Sequence, residues 1–149
     1  MKQAVKTSLL YWFQPKALVF GLAVFNFVLI WSLVQRMGGI AAVVDPWYRP
    51  WSYYNEPTRL LVAASLLLVN RAWSYLTAIG IGGYIVVRFL YFFAIWEGTW
   101  HWTYLSKYEP HLVAAYENQV LLGLIVVCAG LYYLARGLMR SRSRAIVGG

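Results

Sequence analysis

Glu56 to Asn70 reads EPTRLLVAASLLLVN, a carboxylate and a guanidinium followed by an almost unbroken apolar run. Whether this stretch crosses a membrane decides between a chain that threads the bilayer four times and one that threads it three times. As a helix its 15 residues extend roughly 22 Å, short of a hydrocarbon core of about 30 Å. A locally thinned bilayer, or aromatic residues seated in the outer interface, would make up the difference. Pro57 suits a first helical turn, where a missing N–H costs nothing, with Asn55 or Glu56 as cap. At the other end Asn70-Arg71 reads as a tight turn into a following helix.

The flanking sequence favours four crossings. Hydrophobic residues make up 61% of the chain and charged ones 12%, against about 45–50% and about 25% in ordinary soluble domains. The apolar residues come in blocks, Ala17–Val34, Ala72–Trp96 and Val120–Ala135, of the size that spans a bilayer. This is an integral membrane protein. Lys2, Lys6 and Lys16 lie at or before the first block, and Arg136, Arg140, Arg142 and Arg144 follow the last. All five acids (Asp45, Glu56, Glu97, Glu109, Glu117) fall between. That distribution keeps both termini in the cytoplasm under the positive-inside rule, and so requires an even number of crossings. The expected fold is therefore all-α, a single polytopic bundle over residues 1–149. Its helices fall near 16–37, 56–70, 72–96 and 110–139, with outer aromatic segments at 38–55 and 97–109 and a basic cytoplasmic tail at 140–149.

The net charge of +8 is placed for anionic lipid at the membrane surface, not for nucleic acid. The first apolar run is longer than a signal-peptide core of about 7–15 residues, so it is expected to stay as an anchor. A lone cysteine, Cys128, rules out a disulfide within the chain.

The stretch EPTRLLVAA (56–64) is echoed by EPHLVAA (109–115), each after a run of Trp and Tyr. Aromatic residues of this kind collect at membrane–water interfaces. Both Glu-Pro motifs are therefore expected to open helices descending from the outer face. Two hairpins of the same orientation would form a parallel internal pseudo-repeat. Alternatively, any helix starting at an aromatic interface favours Pro followed by Leu, Val and Ala.

Small residues mark where helices approach closely, since lipid gives no hydrophobic drive to bring them together. Gly123, Gly130 and Gly137 recur every seven residues on one stripe. Ala17 with Gly21, and Ala78 with Gly82, have small-xxx-small spacing, and Gly80 and Gly83 thin the third helix. Such stripes serve internal packing, a partner subunit or a second copy.

Few residues offer chemistry. Arg88 falls at membrane depth, where a charge is costly and finds a partner or a wet cavity. With Arg36 it could grip an anionic head group, since the guanidinium fork pairs with such groups. Otherwise it snorkels or pairs with Glu97, Glu109 or Glu117. Asn26 is expected to hydrogen-bond across to a neighbouring helix. His101 and His111 lack a close metal-ligand spacing and are expected to line the interface, with ligand binding as their alternative. No Walker loop, G-x-S-x-G or H-E-x-x-H is present. No catalytic residue, metal site or cofactor is assigned. The expected role is a small structural or accessory subunit, packed against other membrane subunits or copies of itself and in contact with membrane lipids. Binding of a lipid, quinone or other anionic amphiphile through Arg36 and Arg88 is the alternative, and a small transporter is the next.

Overall fold

A computed structural model of the chain describes residues 14–36, 51–91 and 110–148. These residues form four helices: α1 (Pro15–Arg36), α2 (Trp51–Leu68), α3 (Ala72–Tyr91) and α4 (Pro110–Val147). No strand occurs among the described residues. Three of the helices, α1, α3 and α4, are long and apolar enough to cross a membrane. Lys2, Lys6, Asp45, Glu97, Glu109, His101 and most of the two aromatic segments lie outside the described residues.

The helices run alternately up and down. Lys16 on α1 meets Tyr133 on α4, and ten residues further along α1 Asn26 meets Gln119, so α1 and α4 are antiparallel. On α3 and α4, Gly82 sits against Gly123 and the Tyr75 carbonyl against Gly130, again antiparallel. The turn at Asn70 reverses α2 into α3. The start of α1 and the C-terminal part of α4 therefore lie at the same end of the bundle, the Asn70 end. In cross-section α2 touches all three other helices and α4 does the same, while α1 and α3 lie apart. The outline is a rhombus with α2 and α4 on its short diagonal.

This arrangement follows from where the small and apolar side chains fall. On α2, Leu60, Ala63, Ala64 and Leu67 are fully buried. Their 3-1-3 spacing puts them on one helical face. They meet Val19 and Ala23 of α1, Tyr75, Ala78 and Ile85 of α3, and Leu122 and Val126 of α4 in one core. The opposite faces carry Leu22, Phe25 and Leu29 on α1, and Leu121 and Leu124 on α4, all exposed. In water such surface would be untenable; against acyl chains it is the ordinary exterior of a membrane bundle.

Three expectations need correction. First, α2 starts at Trp51, so Pro57 lies inside the helix and is fully buried, not in a first turn capped by Asn55 or Glu56. Five residues are gained before Glu56 and two lost after Leu68, so α2 has 18 residues, about 27 Å. Second, the two Glu-Pro motifs are not equivalent: Glu56-Pro57 is internal to α2, whereas Pro110 is the first residue of α4. Third, residues 140–147, placed in a basic tail beyond a helix ending near 139, continue α4 as helix. The Ser141 and Ser143 hydroxyls donate back to the carbonyls of Leu138 and Met139 at 2.8 and 3.1 Å, and no proline interrupts the run.

The α2–α3 turn is locally explained. Asn70 adopts φ 60°, the left-handed conformation that ends many helices and that Asn tolerates better than most side chains. Arg71 then caps α3. Its carbonyl accepts from the Ser74 and Tyr75 N–H groups, and the Ser74 hydroxyl, 2.7 Å from that carbonyl, receives the Arg71 N–H in return. Ser65 and Thr77 satisfy their hydroxyls on the carbonyls of Leu61 and Trp73 in their own helices.

Candidate functional site

Charged and polar side chains in the bundle gather at two levels. At the Asn70 end, Lys16 is buried in spite of its charge. Its Nζ donates to Asn70 Oδ1 at 2.5 Å, and the Tyr75 hydroxyl donates to the same oxygen at 3.0 Å. The ammonium also lies 5.7 Å from the centre of the Tyr133 ring, within cation–π range. Tyr133 in turn stacks on Tyr75 with centroids 5.8 Å apart. One lysine thus ties α1 to the α2–α3 turn and to α4, which accounts for a charge at the foot of an apolar helix.

The second level lies toward the other end, here the Glu56 end. Asn26 and Gln119 exchange two amide hydrogen bonds, 3.2 and 3.1 Å, joining α1 to α4. Both are buried, and each uses both ends of its amide, so neither leaves a polar group bare in the apolar core. Close by in height, Glu56 on α2 accepts from Arg88 on α3 and from Arg59 one turn along α2, at 3.0 Å. Both guanidiniums use Nη1 and converge on the same oxygen, Oε1. Glu56 Oε2 is buried and has no hydrogen-bond partner among the described residues. Arg59 also lies over the Tyr84 ring, 5.2 Å from its centre. Both arginine side chains remain partly exposed, at 40% for Arg59 and 35% for Arg88. The cluster holds two cations to one carboxylate, a surplus of one positive charge in the groove between α2 and α3.

The helix register shows that this level is a layer. Gly82 faces Gly123; six residues onward on α3 is Arg88, and six residues back on α4 is Glu117. Antiparallel helices with equal rise put those two at the same height. Glu117 is nonetheless exposed, on the side of α4 away from the core, and makes no ion pair with any described residue.

The residues singled out in the sequence are distributed as follows. Arg88 pairs with Glu56, not with Glu117. Arg36 is exposed at the end of α1, a helix that does not touch α3. It lies ten residues beyond Asn26, so it stands about 12 Å further toward the Glu56 end than Arg88, and the two arginines do not share a site. His111 is in the first turn of α4, with its side chain outside the described residues. No group of three metal-ligating side chains occurs among the described residues. Ala78 is fully buried, and Gly82, Gly123 and Gly130 lie in the α3–α4 seam, where an added Cβ would meet its nearest neighbour at 2.6–3.1 Å. At Gly21, Gly80, Gly83 and Gly137 the same position is open space. Cys128 is exposed and free.

Lys16, Glu56, Arg59 and Gln119 were not singled out as site residues in the sequence. The pair Glu56/Arg59 carried a signal, opposite charges three apart that meet on one helix face. Comparison of the chain with protein-family models, curated proteins and solved structures gave no match.

Proposed function

We propose that the chain is a small four-span membrane subunit, both termini on the cytoplasmic side of a cell membrane, whose work is to pack against other membrane subunits. The fourth span is α2. Its polar N-terminal half lowers its mean hydropathy, but Glu56 is turned inward and answered by cations, and three neighbouring helices cover the face that carries Leu60, Ala63, Ala64 and Leu67. A helix so enclosed need not be apolar all round to cross a bilayer. Orientation follows charge. Lys16, Arg71, Arg136, Arg140, Arg142 and Arg144 cluster toward the Asn70 end, while the described acids, Glu56 and Glu117, lie toward the other. The positive-inside rule assigns the Asn70 end to the cytoplasm.

The observation that carries the subunit reading is the inward matching of polar groups. Asn26 answers Gln119, and Glu56 answers Arg88 and Arg59. These contacts join the bundle's own helices, and apolar side chains cover most of its outer faces. Apolar faces alone meet lipid as readily as protein; the exposed glycines among them with open space at the Cβ position, Gly21, Gly80 and Gly137, are what would let another helix come close. Amphiphile binding by Arg36 and Arg88 fits less well, because Arg88 already has a carboxylate and Arg36 stands apart from it. A transport route is also poorly served by polar groups locked in reciprocal pairs.

Purification in mild detergent at native expression level tests the reading. The chain, 17.1 kDa alone, is expected to migrate in a larger complex with other membrane proteins at fixed stoichiometry. A lone monomer would refute it.

A further inference from the structure

The layer at Arg88 height has a positive side and a negative side. On one face Arg59 and Arg88 share a single oxygen of Glu56, leaving one positive charge over in the α2–α3 groove. On the other face Glu117 is exposed, with no ion pair among the described residues. Arg88 lies about 5 Å inside the end of the Ala72–Tyr91 span, counted at 1.5 Å per residue, and Glu117, at the same height, opens the Glu117–Ile146 span of α4. Charges at such depth are costly unless paired. We infer that copies of this chain associate head to tail in the membrane, with Glu117 of one copy set against Arg59 and Arg88 in the α2–α3 groove of the next. The inference rests on the four-span placement proposed above and adds to it an association between copies of the chain.

Three features on the page select a second copy. Copies inserted by the same charge rule stand parallel, so groups at equal height meet, and Glu117 and Arg88 are at equal height by the Gly82–Gly123 register. Next, α2 and α4 occupy the short diagonal of the rhombus, so their exposed sides point away from each other. Such an interface joins two different patches, head to tail; repeated, it closes into a ring where the rotation between copies allows and otherwise extends as an open row. Last, the two surfaces match below the charges. Glu117, Leu121, Leu124 and Cys128 are all exposed, at the 4-3-4 spacing of one helical stripe. The groove offers Val62 and Tyr84, both exposed, beside Gly80, whose Cβ position is empty. A glycine there lets a helix backbone come close. The pairing balances the charges that the described residues bring to the layer.

The test uses two tagged versions of the full chain co-expressed in one membrane, both carrying C128S. One adds V62C in the groove and the other L121C on the stripe. A short bis-maleimide is expected to link V62C copies to L121C copies, with little linkage of like to like. R59E in the V62C copy, or E117R in the L121C copy, is expected to cut the mixed product about tenfold or more, the factor that corresponds to ~1.4 kcal/mol. Combining R59E in one copy with E117R in the other is expected to restore it, which no folding defect could imitate. Arg59 is chosen over Arg88 because Arg88 ties α3 to α2. Absence of mixed product, equal yields of all three pairings, a yield indifferent to the charge changes, or a loss that the swap does not restore would each overturn the inference. A chain that stays single here yet co-purifies with a different membrane protein removes this inference and leaves the subunit reading. Mixed linkage without any other protein in the complex does the reverse.

Discussion

Replacing Gly82 with alanine tests whether the α3–α4 seam is as tight as its geometry indicates. A Cβ at this position would stand 2.9 Å from the Gly123 carbonyl oxygen, 3.1 Å from Val127 Cγ2 and 3.3 Å from Val126 Cγ1. The first of these is backbone and cannot rotate away, so the helices must separate by about half an ångström. A gap of that size forfeits about a quarter of the dispersion energy of each contact along the seam, and overpacking of this kind costs about 1–3 kcal/mol. Against it stands the better helix propensity of alanine, at most about 1 kcal/mol. Gly80, on the same helix with open space around it, keeps only the favourable term. G82A is therefore expected to lose up to about 2 kcal/mol while G80A gains up to about 1 kcal/mol. Reversible unfolding in mixed micelles of mild detergent and dodecyl sulfate, followed by circular dichroism, reads the difference. If G82A unfolds at the same or a higher dodecyl sulfate fraction than G80A, the close approach of α3 and α4 is wrong.

Other substitutions probe the remaining contacts by the same unfolding assay. N70G and N70A both lose the acceptor for Lys16 and Tyr75, but only alanine retains a Cβ at φ 60°, so N70A is expected to be less stable than N70G by about 1–2 kcal/mol; equal stabilities would deny the left-handed turn. N26L strands the Gln119 amide in the core and is expected to cost about 1–3 kcal/mol, with N26L/Q119L recovering much of the loss. A double variant worse than the single one would show the pair is not what joins α1 to α4. E56Q removes the counter-charge of Arg88, whose side chain is 35% exposed. The expected loss is about 1–3 kcal/mol, between the values for buried and surface ion pairs, and E56L/R88L is expected to be more stable than E56Q. Indifference of stability to E56Q would remove the Glu56–Arg88 tie.

The helical class and the apolar runs were legible because bilayer thickness sets a length that Ala17–Val34 and Ala72–Trp96 meet in composition alone. Asn70-Arg71 was legible as a turn, since a helix that ends in asparagine before a new apolar run has few other options. The start of α2 was not. Proline suggested a helix beginning, but Pro57 is fully buried inside α2, and the residues before it complete the helix. Mean hydropathy averages Glu56, which is buried, with its neighbours as if all were exposed. The partner of Arg88 was hidden for a similar reason. Glu56 read as a cap, and which of the chain's acids an arginine meets depends on how α2 lies against α3. Gln119 and Asn26 are far apart in sequence, and only the antiparallel register of α1 and α4 brings them together.

Side-specific labelling of single engineered cysteines in the C128S background tests the central claim most directly. With a thiol reagent that cannot enter intact cells, substitutions at residues 48 and 98 are predicted to react, while those at residues 3, 70 and 145 react only after the membrane is opened. Labelling that puts residues 3 and 145 on opposite sides, or residue 48 on the same side as residue 70, would contradict a chain threaded four times with its cationic end inside.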